Sequence, residues 1–221
     1  MKILYGSQNF GYENSTSDKD WLEVVYPTLY DIVDNRVINL ERRVSGSVVK
    51  VKDIRLLLSL IEKPNLTMTQ IFFPVYTDSC EDLEWFFAHR NSILYYNPYR
   101  CFTSTQGVIL GVLRGRNPSP KDIIRSEAYV RILKRMSERQ FIPSFRDETL
   151  QEYRLYLDGL EEDGLRTEAD RVMCALTALT PKFKPMYGKL DTKLLECARE
   201  EVARLLKERL TSNEQLFENQ D

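Results

Sequence analysis

The apolar positions at the start of the chain come in short blocks, and those of its second half recur at helical intervals. Lys2-Ile3-Leu4-Tyr5 is a compact apolar run of the kind that forms a buried strand, and Gly6-Ser7 then turns the chain sharply. After the polar stretch Tyr12-Glu13-Asn14-Ser15-Thr16, residues 18–26 predict a second strand. Residues 53–62 carry leucines at 56, 57, 58 and 60 behind an acidic start and predict a helix. Residues 68–75 predict another strand, with Pro74 marking its edge or end. Residues 81–94 predict a helix capped by Asp78 or Ser79, which Tyr95-Tyr96-Asn97-Pro98-Tyr99 breaks. A further helix is expected over 102–113, although its glycines lower its propensity.

A basic, turn-rich linker follows, Arg114-Gly115-Arg116-Asn117-Pro118-Ser119-Pro120, and everything beyond it reads as helical. Helices are expected over 121–140, 148–160, 167–179 and 192–210, with breaks at Glu161-Glu162-Asp163-Gly164 and at a loop holding Pro181, Pro185 and Gly188. Residues 211–221 have no apolar pattern and are expected to fray. The fold class implied is α/β (α+β): a small mixed sheet within residues 1–113, a linker over 114–120, a helical region over 121–210 and a flexible tail.

Composition narrows the function classes. Thirty-one Lys and Arg against 33 Asp and Glu leave a net charge of −2, which argues against nonspecific grip on long duplex DNA while leaving room for a local basic groove. Cys80, Cys101, Cys174 and Cys197 show no Cys-x-x-Cys spacing, so neither a zinc site nor a disulfide framework is expected, and they read as reduced thiols of a cytoplasmic protein. No apolar run reaches the roughly 18 residues of a membrane span, and no signal peptide precedes the first strand. The one histidine, His89, excludes a His-His zinc site and reads as a satisfied polar residue on the flank of a helix anchored by Trp85, Phe86 and Phe87.

The candidate chemistry lies in Gly6-Ser7-Gln8-Asn9-Phe10-Gly11 and Ser17-Asp18-Lys19-Asp20-Trp21, which together contain the parts of a nucleoside triphosphate site. A glycine lets backbone approach phosphate, the amides after Ser7 can point at it, and the Ser7 hydroxyl adds a donor. On a strand, Asp18 and Asp20 would share a face about 6–7 Å apart at Cα, close enough for both carboxylates to hold Mg²⁺ or Mn²⁺ beside the phosphates.

The Gly-Ser pair, the glycine four residues later and the Ser-Asp-x-Asp strand resemble the DNA polymerase β-like nucleotidyltransferase superfamily. The spacing is most similar to small bacterial and phage predicted nucleotidyltransferases, including those associated with RNA repair ligases. Asp53-Ile54-Arg55, the leucines after it and Lys63-Pro64-Asn65 extend the likeness over about the first 75 residues. The resemblance implies a nucleotide site at Gly6, Ser7, Gln8, Gly11 and Ser17, with Asp18 and Asp20 as catalytic metal ligands. It also implies a third carboxylate on a neighbouring strand, where this chain offers Gln70. A glutamine carbonyl ligates a metal without charge and cannot act as a base, so Asp53 or Asp78 is the alternative third carboxylate. For Asp53 the plainer reading, a helix N-cap or first-turn charge, is the favoured one.

In the helix over 121–140, Arg125 and Arg131 are candidates for contact with triphosphate or an RNA acceptor, while its other basic residues read as a solvated face. Two functions from different classes follow. One is metal-dependent transfer of a nucleoside monophosphate from an NTP to a hydroxyl, with an RNA 3′ end as one acceptor; the other is a nucleotide- or partner-binding module that keeps the fold without the chemistry.

Overall fold

The computed structural model describes residues 1–14, 17–44, 47–78, 81–115, 117–187, 190 and 192–218, the last seven as backbone only. Ser15, Thr16, Ser79, Cys80, Arg116 and Gly188, named above, lie outside the described residues.

The N-terminal half is built on a five-stranded mixed sheet. Its strands are β1 (Lys2–Tyr5), β2 (Asp20–Val25), β3 (Asn39–Val44), β4 (Ser47–Asp53) and β5 (Thr77–Asp78), in the order β3-β4-β2-β1-β5. β2 and β4 run parallel and the other neighbours antiparallel. Alternation explains the central strand: Leu22 and Val24 are 1% exposed and point into the core beside Ile3, while Trp21, Glu23 and Val25 point the other way. The register pairs Tyr5 with Asp20, Leu22 with Lys50, and Lys50 with Glu41, so Tyr5, Asp20, Lys50 and Glu41 share one face of the sheet.

The observed β2 begins at Asp20, so Asp18 and Lys19 precede the strand and are exposed, and the expected strand face shared by Asp18 and Asp20 does not form. The turn before it is closed by Ser17, whose hydroxyl bonds the Asn14 amide and side chain at 2.9 Å each. Residues 27–52, where the pattern predicts no element, form α2 (Leu29–Val33), capped by Thr28, and the β3–β4 strands.

A second correction falls on residues 68–75. They form no strand: α4 (Leu66–Thr69) is followed by a 3₁₀ turn, Gln70–Phe72. Asn65 caps α4 by accepting the Met68 amide at 3.0 Å, and Ile71, Phe72 and Phe73 are all buried in succession, which a strand with one covered face cannot achieve. Asp53, expected at a helix start, ends β4, and α3 spans Leu56–Glu62.

The single helix expected over 81–94 is broken into a 3₁₀ turn (Glu81–Leu83), α5 (Glu84–Ala88) and α6 (Arg90–Leu94). The break is at His89, whose ring stacks on Trp85 at 4.2 Å and whose Nδ1 lies 2.8 Å from the Trp85 carbonyl oxygen. Asp78 does not cap it; its carboxylate accepts the Lys2 amide at 2.6 Å on the edge of the sheet.

The remaining helices are α7 (Pro98–Leu113), α8 (Pro120–Ser137), α9 (Thr149–Asp158), α10 (Glu162–Phe183) and α11 (Thr192–Glu218). Asn97 and Ser119 cap α7 and α8, each with proline at the first helical position. The glycines of α7, Gly107 and Gly111, sit on its open side while Cys101, Phe102, Thr105, Ile109 and Leu113 are buried. α10 starts earlier and ends later than expected, because Ala169, Val172, Leu176, Leu179 and Phe183 form an unbroken buried stripe that carries the helix past Pro181. α11 continues to Glu218 where the tail was expected from 211.

One apolar core joins residues from both sides of 114–120. At its centre Phe145 stacks on Phe73 at 4.3 Å and on Phe10 at 5.8 Å, and Tyr129 meets Phe10 edge-on at 5.4 Å. No helix among the described residues is long and apolar enough to cross a membrane.

Candidate functional site

The antiparallel pairing of β1 with β2 sets Tyr5 opposite Asp20, so the turn that leaves β1 at Gly6 lies against the Asp20 carboxylate. A methyl group on Gly6 would come within 2.8 Å of Asp20 Oδ2, and Gly6 has φ +78°, in the left-handed region. Glycine here answers both demands at once.

From Gly6 the chain makes a single helical turn, α1 (Ser7–Phe10), with Ser7 buried. The Asn9 and Phe10 amides both bond the Gly6 carbonyl, so among the backbone donors of the turn those of Ser7 and Gln8 have no intrahelical partner. The turn is held from beneath by two amide side chains. Gln70 Oε1 accepts the Gly6 amide at 2.8 Å and its Nε2 donates to the Thr67 carbonyl, while Asn9 donates to the Gln70 carbonyl at 3.3 Å and accepts the Val75 amide at 2.9 Å. Gln70 is 2% exposed. The residue expected as a metal ligand is thus a buried support of the turn.

Gly11 ends α1 with φ +83°, and a Cβ there would meet the Asp147 carbonyl oxygen at 3.0 Å. It permits a close approach of two backbones: the Asp147 amide donates to the Phe10 carbonyl at 3.0 Å. Arg146 strengthens that junction, donating to the Gln8 carbonyl at 2.7 Å and pairing with Glu13 at 3.0 Å and Glu148 at 2.6 Å.

Asp20 is half-buried and its carboxyl lies above the usual range. Burial is the main cause; Lys121 and Lys50 pull it down, and Asp18 and Glu41 push it up. Lys121, at the start of α8, and Lys50, on β4, are the cations that act on Asp20. The Lys50 ammonium also lies 5.2 Å from the centroid of the Tyr5 ring, whose hydroxyl is raised by burial and by Asp20 and Glu41. Lys50, Glu41 and Lys121 were not singled out from the sequence. The Val49-Lys50-Val51-Lys52 alternation is the available signal for Lys50.

Neither substitute for a third carboxylate joins this group. Asp53 is fully buried on the opposite face of the sheet, where Oδ1 accepts the Arg55 amide and Nε at 2.9 Å each and Oδ2 pairs with the Arg55 guanidinium at 2.6 Å. Asp78 lies at the Lys2 end of β1, away from Tyr5 and Asp20. Among the described residues no group of three or more His, Cys, Asp or Glu side chains is placed to hold a metal ion. A divalent ion held by Asp18 and Asp20 would complete its shell with water and substrate oxygens, a habit of Mg²⁺.

The two arginine candidates separate. Arg125 pairs with Asp122 at 3.0 Å, and its charge offsets part of the rise that burial imposes on the Tyr12 and Tyr129 hydroxyls. Arg131 is committed to Glu127 at 2.8 Å, Asp147 at 2.9 Å and Thr149 at 2.7 Å, and braces α8 against the start of α9. Of the described thiols, Cys101 is buried and pushed up to about 12 by burial, and Cys174 and Cys197 are exposed and free.

No family model matches this chain, and no curated protein is significantly similar to it.

Proposed function

We propose that the protein is a metal-dependent nucleotidyltransferase that transfers a nucleoside monophosphate from an NTP to a hydroxyl. The observation that carries this reading is the close approach of the Gly6 turn to the Asp20 carboxylate, on which Lys50 and Lys121 act as nearby cations. A glycine that leaves room for phosphate, a half-buried carboxylate raised by burial and two nearby cations suit a triphosphate with its counter-ions.

Asp18 and Asp20 would hold Mg²⁺ or Mn²⁺, which supplies charge neutralisation at the phosphates and acidifies a bound hydroxyl. The chain's own residues do the rest. Gly6 keeps the space beside Asp20 open, the Ser7 and Gln8 amides offer donors to phosphate oxygens, and Lys121 and Lys50 offset the charge of the triphosphate. The acceptor oxygen attacks the α-phosphorus, the bond to the bridging oxygen of the β-phosphate breaks, pyrophosphate leaves and the hydroxyl proton passes to water.

A second reading, a nucleotide-binding module without chemistry, is favoured by the engagement of Gln70 beneath the turn in place of a carboxylate at the site. One experiment separates the two. The protein is incubated with each radiolabelled NTP, Mg²⁺ or Mn²⁺ and a pool of small RNAs, beside the Asp18→Ala/Asp20→Ala variant. Transfer of label by the wild type alone supports the enzyme; NTP-dependent thermal stabilisation without transfer or pyrophosphate release supports the module.

A further inference from the structure

On the sheet face that carries Asp20, a groove of about 280 Å³ runs along the β3–β4 edge, lined by Asn39, Leu40, Glu41, Lys50, Lys52 and Met68. Lys50 lines this groove, its ammonium lies 5.2 Å from the centroid of the Tyr5 ring, and Tyr5 pairs with Asp20 in the sheet, so the groove leads toward Asp20 on one sheet face. Lys50 and Lys52 stand on one face about 7 Å apart at Cα by the rise of a strand. The Lys52 ammonium bonds the Asn39 side-chain oxygen. Burial and the nearby Lys50 hold the Lys52 ammonium below its ordinary value, and Glu41 partly offsets them. An anion bound between the two lysines would relieve that repulsion.

The groove therefore offers two cations for phosphates, an amide and a carboxylate as acceptors for hydroxyl donors, and the Met68 side chain as an apolar surface. A bare polyanion needs only the first of these; a ribose strand uses all three, since its 2′ hydroxyl is a donor that DNA lacks.

We propose that this groove is the acceptor track: a single-stranded RNA lies with backbone phosphates on Lys50 and Lys52 and ribose hydroxyls on Asn39 and Glu41, and its 3′ hydroxyl is delivered to Asp20. The proposal rests on the nucleotidyltransferase reading for the delivery step alone. Binding of the strand is measurable without chemistry, and the charge balance of the whole chain, −2, leaves a local groove as the source of any affinity.

The test is fluorescence anisotropy of a short labelled single-stranded RNA against the full chain, in EDTA and without NTP, over a salt series. Lys52→Gln should lower the slope of log affinity against log salt by about 0.7 and the Lys50→Gln/Lys52→Gln pair by about 1.4, so that raising salt from 50 to 200 mM weakens the wild type about sevenfold more than the pair. Lys52→Arg should restore binding, and Lys207→Gln, on the exposed side of α11, should leave it unchanged. DNA of the same sequence should bind more weakly. Absence of RNA binding, equal loss with Lys207→Gln, no loss with Lys52→Gln, or equal binding of DNA would overturn the assignment. Label transfer is scored separately, so an RNA-binding protein without transfer refutes the enzyme reading and not the track, and transfer to a non-RNA acceptor does the reverse.

Discussion

Gln70 holds Gly6 by its side-chain carbonyl, with Oε1 accepting the Gly6 amide at 2.8 Å across 64 positions of sequence. Its own amide is anchored on the Thr67 carbonyl, so both ends of the side chain are used. Gln70→Glu should therefore destabilise the protein. It keeps the acceptor for Gly6 but sets a buried carboxylate against the Thr67 carbonyl, at a cost of about 2–3 kcal/mol. Thermal melting should show a drop of roughly 5–10 °C, with no gain in label transfer; a gain would mean that the glutamine stands where a metal-ligating carboxylate belongs.

Gly6→Ala tests the turn from the other side. The new methyl would meet Asp20 Oδ2 at 2.8 Å on a backbone that L-residues avoid. Gly6, at φ +78° and ψ −143°, lies in a region essentially reserved for glycine, where a side chain costs about 1–3 kcal/mol, and displacement of the Asp20 carboxylate should reduce transfer by about a hundredfold. Preserved turnover in a folded variant would remove the turn from the site.

Asp20→Asn should separate stability from activity. Burial raises the folded-state pKa of Asp20, so its contribution to stability is complete below the unfolded pKa and is lost as pH rises through the folded value. The variant should melt at the same temperature as the wild type or higher at about pH 7, with the difference vanishing near pH 3, and should transfer no label. Melting curves across that range, read beside the transfer assay, check both halves.

Arg125→Ala and Arg131→Ala should differ in kind. The charge of Arg125 acts on the Tyr12 and Tyr129 hydroxyls, and its loss should raise the KM for NTP with little change in melting. Arg131 braces α8, and its loss should lower stability by about 1 kcal/mol with KM unchanged. Burial raises the Asp147 carboxyl, but the Thr149 and Arg131 hydrogen bonds outweigh it and hold it below the ordinary carboxylate range. That stabilisation is present above the unfolded pKa and lost as pH falls through the folded one, so the melting difference should shrink on acidification.

The residues that were legible in the sequence are those whose pattern is local. Lys2–Tyr5 and the strand at Asp20 show as apolar blocks, and the second half shows as stripes at helical spacing. The fold class followed from that contrast. Residues 68–75 misled because a short apolar run reads alike for a buried strand and a buried turn, and the deciding contacts, Gln70 to Gly6 and Asn9 to Val75, span more than sixty positions. The surroundings of Asp20 were hidden for the same reason: Lys50 and Lys121 are ordinary surface lysines until the sheet register and the start of α8 bring them to one carboxylate.

Arg146 reaches back 138 residues to the Gln8 carbonyl and 133 to Glu13. During synthesis, at about 5–20 residues per second, the nascent chain would carry Gly6 and Asp20 for several seconds before the arginine that fixes their turn has left the ribosome. The turn at Gly6 then matures late, and a product truncated before Arg146 would carry Gly6 and Asp20 without the arginine that fixes their turn.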